Sequence, residues 1–151
     1  MPTHVYVTTV EPKPTAFVRK TTTWQEFPAA WGPMLDSVWA VLRSTPTGLR
    51  KQGHNVMLYK DDIPNAEVGV QVSGPFDPVG DVVPSHLPGG LAATVTHTGP
   101  MSLIGDTHQA IVEWCKENGH RLDGRRWEIY GDPDPSSGEF AVQVYWSVLA
   151  D

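Results

Sequence analysis

Residues 55–72, NVMLYKDDIPNAEVGVQV, and residues 126–144, RWEIYGDPDPSSGEFAVQV, carry one pattern twice. Tyr-x-Asp, a glutamate ahead of the final strand and a closing Val-Gln-Val recur in the same order. Tyr59 and Tyr130 stand 71 positions apart and Gln71 and Gln143 stand 72 apart, so one residue added to the second turn accounts for the difference. Any two amphipathic hairpins share an alternation. A shared order of landmarks reads instead as duplication of one supersecondary unit. Duplication restricts the fold, because each half must repeat the other about a pseudo-twofold axis.

The units extend beyond these hairpins. HVYVTTVE (4–11) and TAFVRKTTTW (15–24) are rich in β-branched residues and read as strands, with Pro12 and Pro14 marking the turn between them. Phe27, Trp31, Leu35, Val38, Trp39 and Leu42 then fall on one helical face. A proline ring clashes with the carbonyl four residues back. Pro33 is therefore expected in the first turn of the main helix, after a separate short turn, with the helix ending near Ser44. Residues 54–60 and 66–73 form a hairpin, and the Pro- and Gly-rich stretch 74–90 reads as a connection. Strand 91–98, a helix N-capped by Ser102 and closed by Gly119, and a hairpin of 126–131 with 139–148 then repeat the order. The expected fold class is α+β. A strand–helix–strand–strand module is duplicated (15–73 and 91–148) behind one extra strand, giving one curved antiparallel sheet with two helices on one face.

A chain of 151 residues, 40% hydrophobic, suits a single domain over 1–151, since two domains of half that length would bury too little surface. The formal charge is −6 with no basic run, which argues against direct nucleic-acid binding. No apolar run approaches the roughly 18 residues of a membrane span. The N-terminus MPTHVYVTTVEPKP lacks the charged-then-apolar form of a signal peptide. The lone Cys115 forbids an internal disulfide and fits a reducing, cytoplasmic setting. The six histidines show no metal-ligand spacing and no Gly-rich phosphate loop follows a strand, so no metal or other cofactor is expected. Oligomeric state is not legible in the chain.

Strand parity selects a candidate site. In 139–148, Phe140, Val142, Val144, Trp146 and Val148 share one face, assigned to the helices, and Gln143 and Tyr145 share the other. The same sorting sends Trp127, Ile129, Val56 and Leu58 beneath the helices. Met57, Tyr59, Glu128, Tyr130, Gln143 and Tyr145 are left together on the free face. Tyrosines on a sheet face can equally be solvated. This set, however, has the make-up of a small-molecule site, with aromatic walls and a carboxylate that would attract a cation. Trp31 and Trp39 either pack under the sheet or reach round into the cleft. His97 shares a face with Leu91, Ala93 and Val95 and reads as an inner, hydrogen-bonded residue.

LPGGLAATVTHTGPMSLIGDTHQAIVEWCKENG followed by RWEIYGDPDP, with EPKPTAFVR and AEVGVQVSGPF in the first half, resembles the GyrI-like domain. That domain is also the effector-binding part of multidrug-sensing transcription regulators of the BmrR type. The resemblance covers essentially the whole chain. It implies a ligand site near the symmetry axis and a glutamate on the penultimate strand, which Glu128 matches. Relatives commonly end in a Thr-Glu-hydrophobic-x-Pro strand where this chain reads VQVYWSV, so Gln143 stands where a second acid often lies and Ser147 replaces the proline. One such unit fills the chain and leaves no room for a helix-turn-helix, so a stand-alone form is expected.

The leading expectation is therefore a protein that binds amphipathic and aromatic small molecules, cations among them, in a central cleft. The alternative implied by the resemblance is a hydrolase that opens cyclopropanoid or similar electrophilic toxins. Glu128 would then be the general base, and Tyr130 or Tyr145 would hydrogen-bond the developing oxyanion. A gyrase-interacting protein ranks below both, since the charge is modest and forms no acidic run.

Overall fold

The structure, a computed structural model, describes residues 4–44, 53–132, 136 and 141–149. In chain order it contains β1 (Tyr6–Val10), β2 (Lys13–Thr21), α1 (Phe27–Ser44), β3 (Asn55–Tyr59) and β4 (Asn65–Gln71). Then follow β5 (Val83–Leu87), β6 (Gly90–His97), α2 (Ile104–Glu117), β7 (Leu122–Tyr130) and β8 (Val142–Val148). All eight strands form one antiparallel sheet in the order β1-β6-β8-β7-β3-β4-β2-β5. The fold is α+β with two helices, as the repeat implied.

The stretch 74–90 is more than a connection, because β5 lies in it and pairs with β2. Each repeat is thus strand–strand–helix–strand–strand, and β1 is the counterpart of β5. Each half lends its leading strand to the edge of the other: β1 pairs with β6, and β5 with β2. Pro12 and Pro14 therefore accompany a crossover and not a hairpin turn.

Two helix expectations are corrected. Pro33 lies inside a continuous α1. The helix starts early because the Thr23 hydroxyl accepts the Glu26 N–H at 3.1 Å, and it continues through the proline because Phe27, Met34, Val38 and Leu42 on both sides of it are buried. Ser102 does not cap α2. A 3-10 turn, Met101–Leu103, leads into it, with the Leu103 N–H donating to the Pro100 carbonyl at 3.0 Å. The other end is as expected: Gly119 adopts φ +77° while the His120 N–H reaches back to the Cys115 carbonyl at 2.9 Å, closing the helix in a Schellman turn.

Register also corrects the alignment of the repeats. Met57 pairs with Val68 and Glu128 with Val144, so Val68 corresponds to Val144, Glu67 to Gln143 and Gln71 to Ser147. Tyr59 pairs with Ala66 and Tyr130 with Val142, a chain separation of 7 against 12, so the second hairpin is longer by five residues and not by one. Most of the predicted turn 132–138, and Phe140, lie outside the described residues. At the centre of the sheet β3 pairs with β7, with Val56 opposite Ile129, Met57 opposite Glu128 and Leu58 opposite Trp127.

On one face, α1 packs Phe27, Met34, Val38 and Leu42 over Ala16, Val68 and Val70, and α2 packs Ile111 and Cys115 over Ala93, Val95, Val142 and Val144. The opposite face is not free. Val56, Leu58, Trp127, Ala92 and Leu87 form a buried cluster there with Val10, Ile129 and Tyr145. The sheet curves until residues of its edge strands β1 and β5 meet the underside of its centre. No helix among the described residues is long and apolar enough to cross a membrane.

Gly69 shows how tightly the strands approach. A Cβ built there would lie 1.9 Å from the Ala16 carbonyl oxygen, a backbone atom that cannot move aside alone. Gly69→Ala is expected to destabilise the protein by about 3 kcal/mol or more, measured by urea unfolding.

Candidate functional site

Directly opposed residues of an antiparallel pair share a face. Glu128 is opposite both Met57 and Val144, and Tyr130 is opposite Val142. The row Met57, Tyr59, Glu128 and Tyr130 therefore lies beneath the helices, in the gap between α1 and α2. Gln143 and Tyr145 are opposite Ile129 and Trp127 and belong to the other face. The predicted constellation is thus split, and its placement on a free face is corrected. Both rows of the central strands are rich enough in apolar groups to be buried, so parity could not say which one the helices cover.

Gln143 is occupied where it stands, accepting from the Thr96 hydroxyl at 2.7 Å and donating to Thr94 Oγ1 at 2.8 Å. The Tyr145 ring stacks on Trp127, with centroids 5.2 Å apart and an interplanar angle of 9°. Trp31 does line the cleft, whereas Trp39 stands behind it: its indole N–H donates to Asn55 Oδ1 at 2.9 Å, and Asn55 is a wall residue. His97 is buried and hydrogen-bonded, as expected, to Thr107 Oγ1 at 2.6 Å and the Pro100 carbonyl at 3.1 Å.

The cleft has a volume of about 520 Å³. Phe27, Trp31 and Leu35 of α1 wall one side, Met101 and Ile104 the other, and Met57, Tyr59, Glu128 and Tyr130 form the floor. Glu128 is only 3% exposed yet fully engaged. Its Oε1 accepts from the hydroxyls of Tyr130 at 2.5 Å and Tyr59 at 3.3 Å, and its Oε2 lies 2.6 Å from His108 Nε2. The Trp146 indole N–H points at His108 Nδ1 at 2.9 Å. An indole nitrogen can only donate, so Nδ1 accepts and the imidazole proton sits on Nε2, facing Glu128. His108 is thereby a neutral donor in this network.

Burial first, and the Glu128 charge second, push the hydroxyls of Tyr59 and Tyr130 well above the ordinary phenol range. Both rings stay O–H donors, with Met57 Sδ at 3.5 and 3.6 Å from their oxygens. The carboxylate thus rests on three neutral donors inside an aromatic cleft. Neutral donors stabilise its charge without cancelling it. The nearby Arg126 is engaged elsewhere: its Nη2 lies 2.7 Å from Asp62 Oδ1, and its guanidinium sits 5.4 Å from the Trp24 ring and 4.7 Å from Trp146. Among the described residues, no three His, Cys, Asp or Glu side chains converge as a metal site.

Sequence reasoning missed His108, although a signal existed. Ile104, His108, Ile111 and Cys115 recur at helical spacing, so the histidine interrupts the apolar stripe of α2. Phe27 and Leu35, which helical spacing places on one face of α1, also wall the cleft. Nothing local marked the convergence of Trp24, Arg126 and Trp146, which come from separate elements.

The family model of the GyrI-like small molecule binding domain matches residues 3–149. No curated protein matches the chain. Among solved structures, the EcmrR C-terminal domain is similar at a TM-score of 0.79 and 18% identity, over 98% of both chains. Against the EcmrR chain of a DNA complex the match spans 58% of that chain. SAV2435 bound to tetraphenylphosphonium is similar at a TM-score of 0.67 and 12% identity, over 98% of this chain and 95% of that one. A hydrolase from Listeria innocua is similar at a TM-score of 0.59 and 13% identity, over 96% and 91%. At these identities the likeness is one of fold.

The raised hydroxyls of Tyr59 and Tyr130 predict an alkaline weakness. Their folded-state values lie above the unfolded value of 10.0, so the stability they contribute is complete below that pH and declines as pH rises past it. Urea unfolding across about pH 8 to 11 should show stability that falls once pH passes about 10, with a shallower fall in Tyr59→Phe. Parallel profiles would overturn the assignment.

Proposed function

This chain belongs to the GyrI-like small molecule binding domain family, and from that premise we propose that it binds amphipathic aromatic cations in the cleft between α1 and α2. The observation that carries this reading is the charge balance at Glu128. A buried carboxylate held by Tyr59, Tyr130 and His108 has three neutral donors and keeps its negative charge. A ligand cation above it gains a Coulomb partner away from bulk water. The rings of Phe27, Trp31, Tyr59 and Tyr130 supply apolar area and π faces, each favourable ring–cation contact being worth about 0.5–2 kcal/mol. Support of a separate kind comes from SAV2435, which has the same fold and carries tetraphenylphosphonium, an aromatic cation.

A thermal-shift titration with tetraphenylphosphonium tests the reading. At 100 times Kd the ligand should add about 2.7 kcal/mol of stability, and Glu128→Gln, whose own melting is recorded without ligand, should weaken binding about tenfold or more. No shift in the wild type, or equal affinities in the two proteins, would sink the proposal.

Hydrolysis of a strained electrophile ranks second. Such a base must take a proton from water, whereas both oxygens of Glu128 already accept from protein donors, and Tyr145 stands on the far face. Incubation with a cyclopropane-bearing electrophilic toxin is expected to give binding without a ring-opened, water-added product. A product that forms in the wild type and disappears in Glu128→Gln would reverse the order.

A further inference from the structure

A second chamber of about 350 Å³ opens beside the cleft and shares Phe27, Tyr59, Ile104 and Glu128 with it. The residues it does not share are Trp24, Gly105, His108, Arg126 and Trp146, and of these Arg126 carries a fixed charge while His108 is the neutral donor to Glu128. Arg126 and Glu128 are two residues apart on one face of β7, roughly 7 Å along the strand. One wall of the chamber therefore carries a carboxylate and a guanidinium side by side.

The two charges are held very differently. Glu128 is satisfied from within the protein. Arg126 lies between two indoles, donates Nη1–H to the Gly124 carbonyl at 2.9 Å, and has Asp62 as its carboxylate partner. The Arg126 side chain is 8% exposed, whereas that of Asp62 is 91% exposed. An ion pair with so exposed a partner is screened and weak, and water solvates Asp62 as soon as it lets go. The guanidinium by contrast is stacked, oriented and planar, the geometry that binds a carboxylate through two parallel hydrogen bonds. A ligand anion could take the place of Asp62 with little loss, while a second ligand cation in this chamber would meet a like charge.

Resting on the cation-binding reading above, we propose that this site selects aromatic zwitterions: the cation sits against Glu128, and the ligand's own carboxylate replaces Asp62 on Arg126. The cleft and the chamber then act as one two-charge site, with Trp24 and Trp146 as the walls around its anionic end.

Rhodamine 110 and its methyl ester, rhodamine 123, separate the two charges, since they share one xanthenyl cation and differ in the free carboxylate. Fluorescence anisotropy gives Kd for each dye. In the wild type the free acid should bind more tightly than the ester. Arg126→Gln should reduce the ester-to-acid Kd ratio by about tenfold or more, the scale of a charged hydrogen-bonded pair. Asp62→Asn removes the competitor at an exposed position, so it should raise that ratio. If Arg126→Gln does not fold, Asp62→Asn alone decides. A ratio unmoved by the variants, with the ester still bound in a Glu128-dependent way, overturns the zwitterion proposal only. Failure of both dyes to bind the wild type overturns the cation reading and this inference with it.

Discussion

Met57 faces Glu128 across the join of the two halves, and each is the repeat counterpart of the other. A residue at this point of a pseudo-twofold sheet meets its own copy, as it would in a symmetric dimer. Two glutamates here would place carboxylates roughly 5 Å apart where neither can be hydrated, and like charges that close cannot both ionise without a large penalty. Two methionines would leave the donors of Tyr59, Tyr130 and His108 facing sulfur alone. One of each resolves both problems. Tyr59 and Tyr130, themselves repeat counterparts, converge on the single carboxylate.

The asymmetry of that pair extends outward into the helices. Over the site, α1 contributes apolar walls in Phe27, Trp31 and Leu35, whereas α2 contributes His108, oriented by Trp146 of β8. A buried carboxylate is tolerable only when its lone pairs are met, and each missing partner would cost about 1–3 kcal/mol. Folding energetics and the charge that the proposed binding would use therefore depend on the same hydrogen bonds. The cleft is set rigidly because its floor is sheet backbone at the centre of eight strands and its polar network has few alternative arrangements.

The repeat, both helices, the hairpins and the shared face of Met57, Tyr59, Glu128 and Tyr130 were legible in the chain. β5 was not, because VPSHL carries a proline and no clean alternation; only its pairing with β2 makes it a strand. The Val-Gln-Val match misled the alignment, since hairpin length moves register without leaving a local mark, and Glu67 is what lies at the place of Gln143. Periodicity along one strand states which residues share a face. It is silent on how that face relates to the next strand's, and here both faces of the central strands are buried. By itself, then, the sequence determined the duplication, the helical stripes, the alternation within each strand and the break in symmetry at positions 57 and 128, all of which depend on near neighbours along the chain. Only the tertiary structure decided that Gln143 and Tyr145 leave the site while His108, Trp146 and Arg126 enter it. Those placements depend on cross-strand register and sheet curvature, which are settled by long-range packing and not by local pattern.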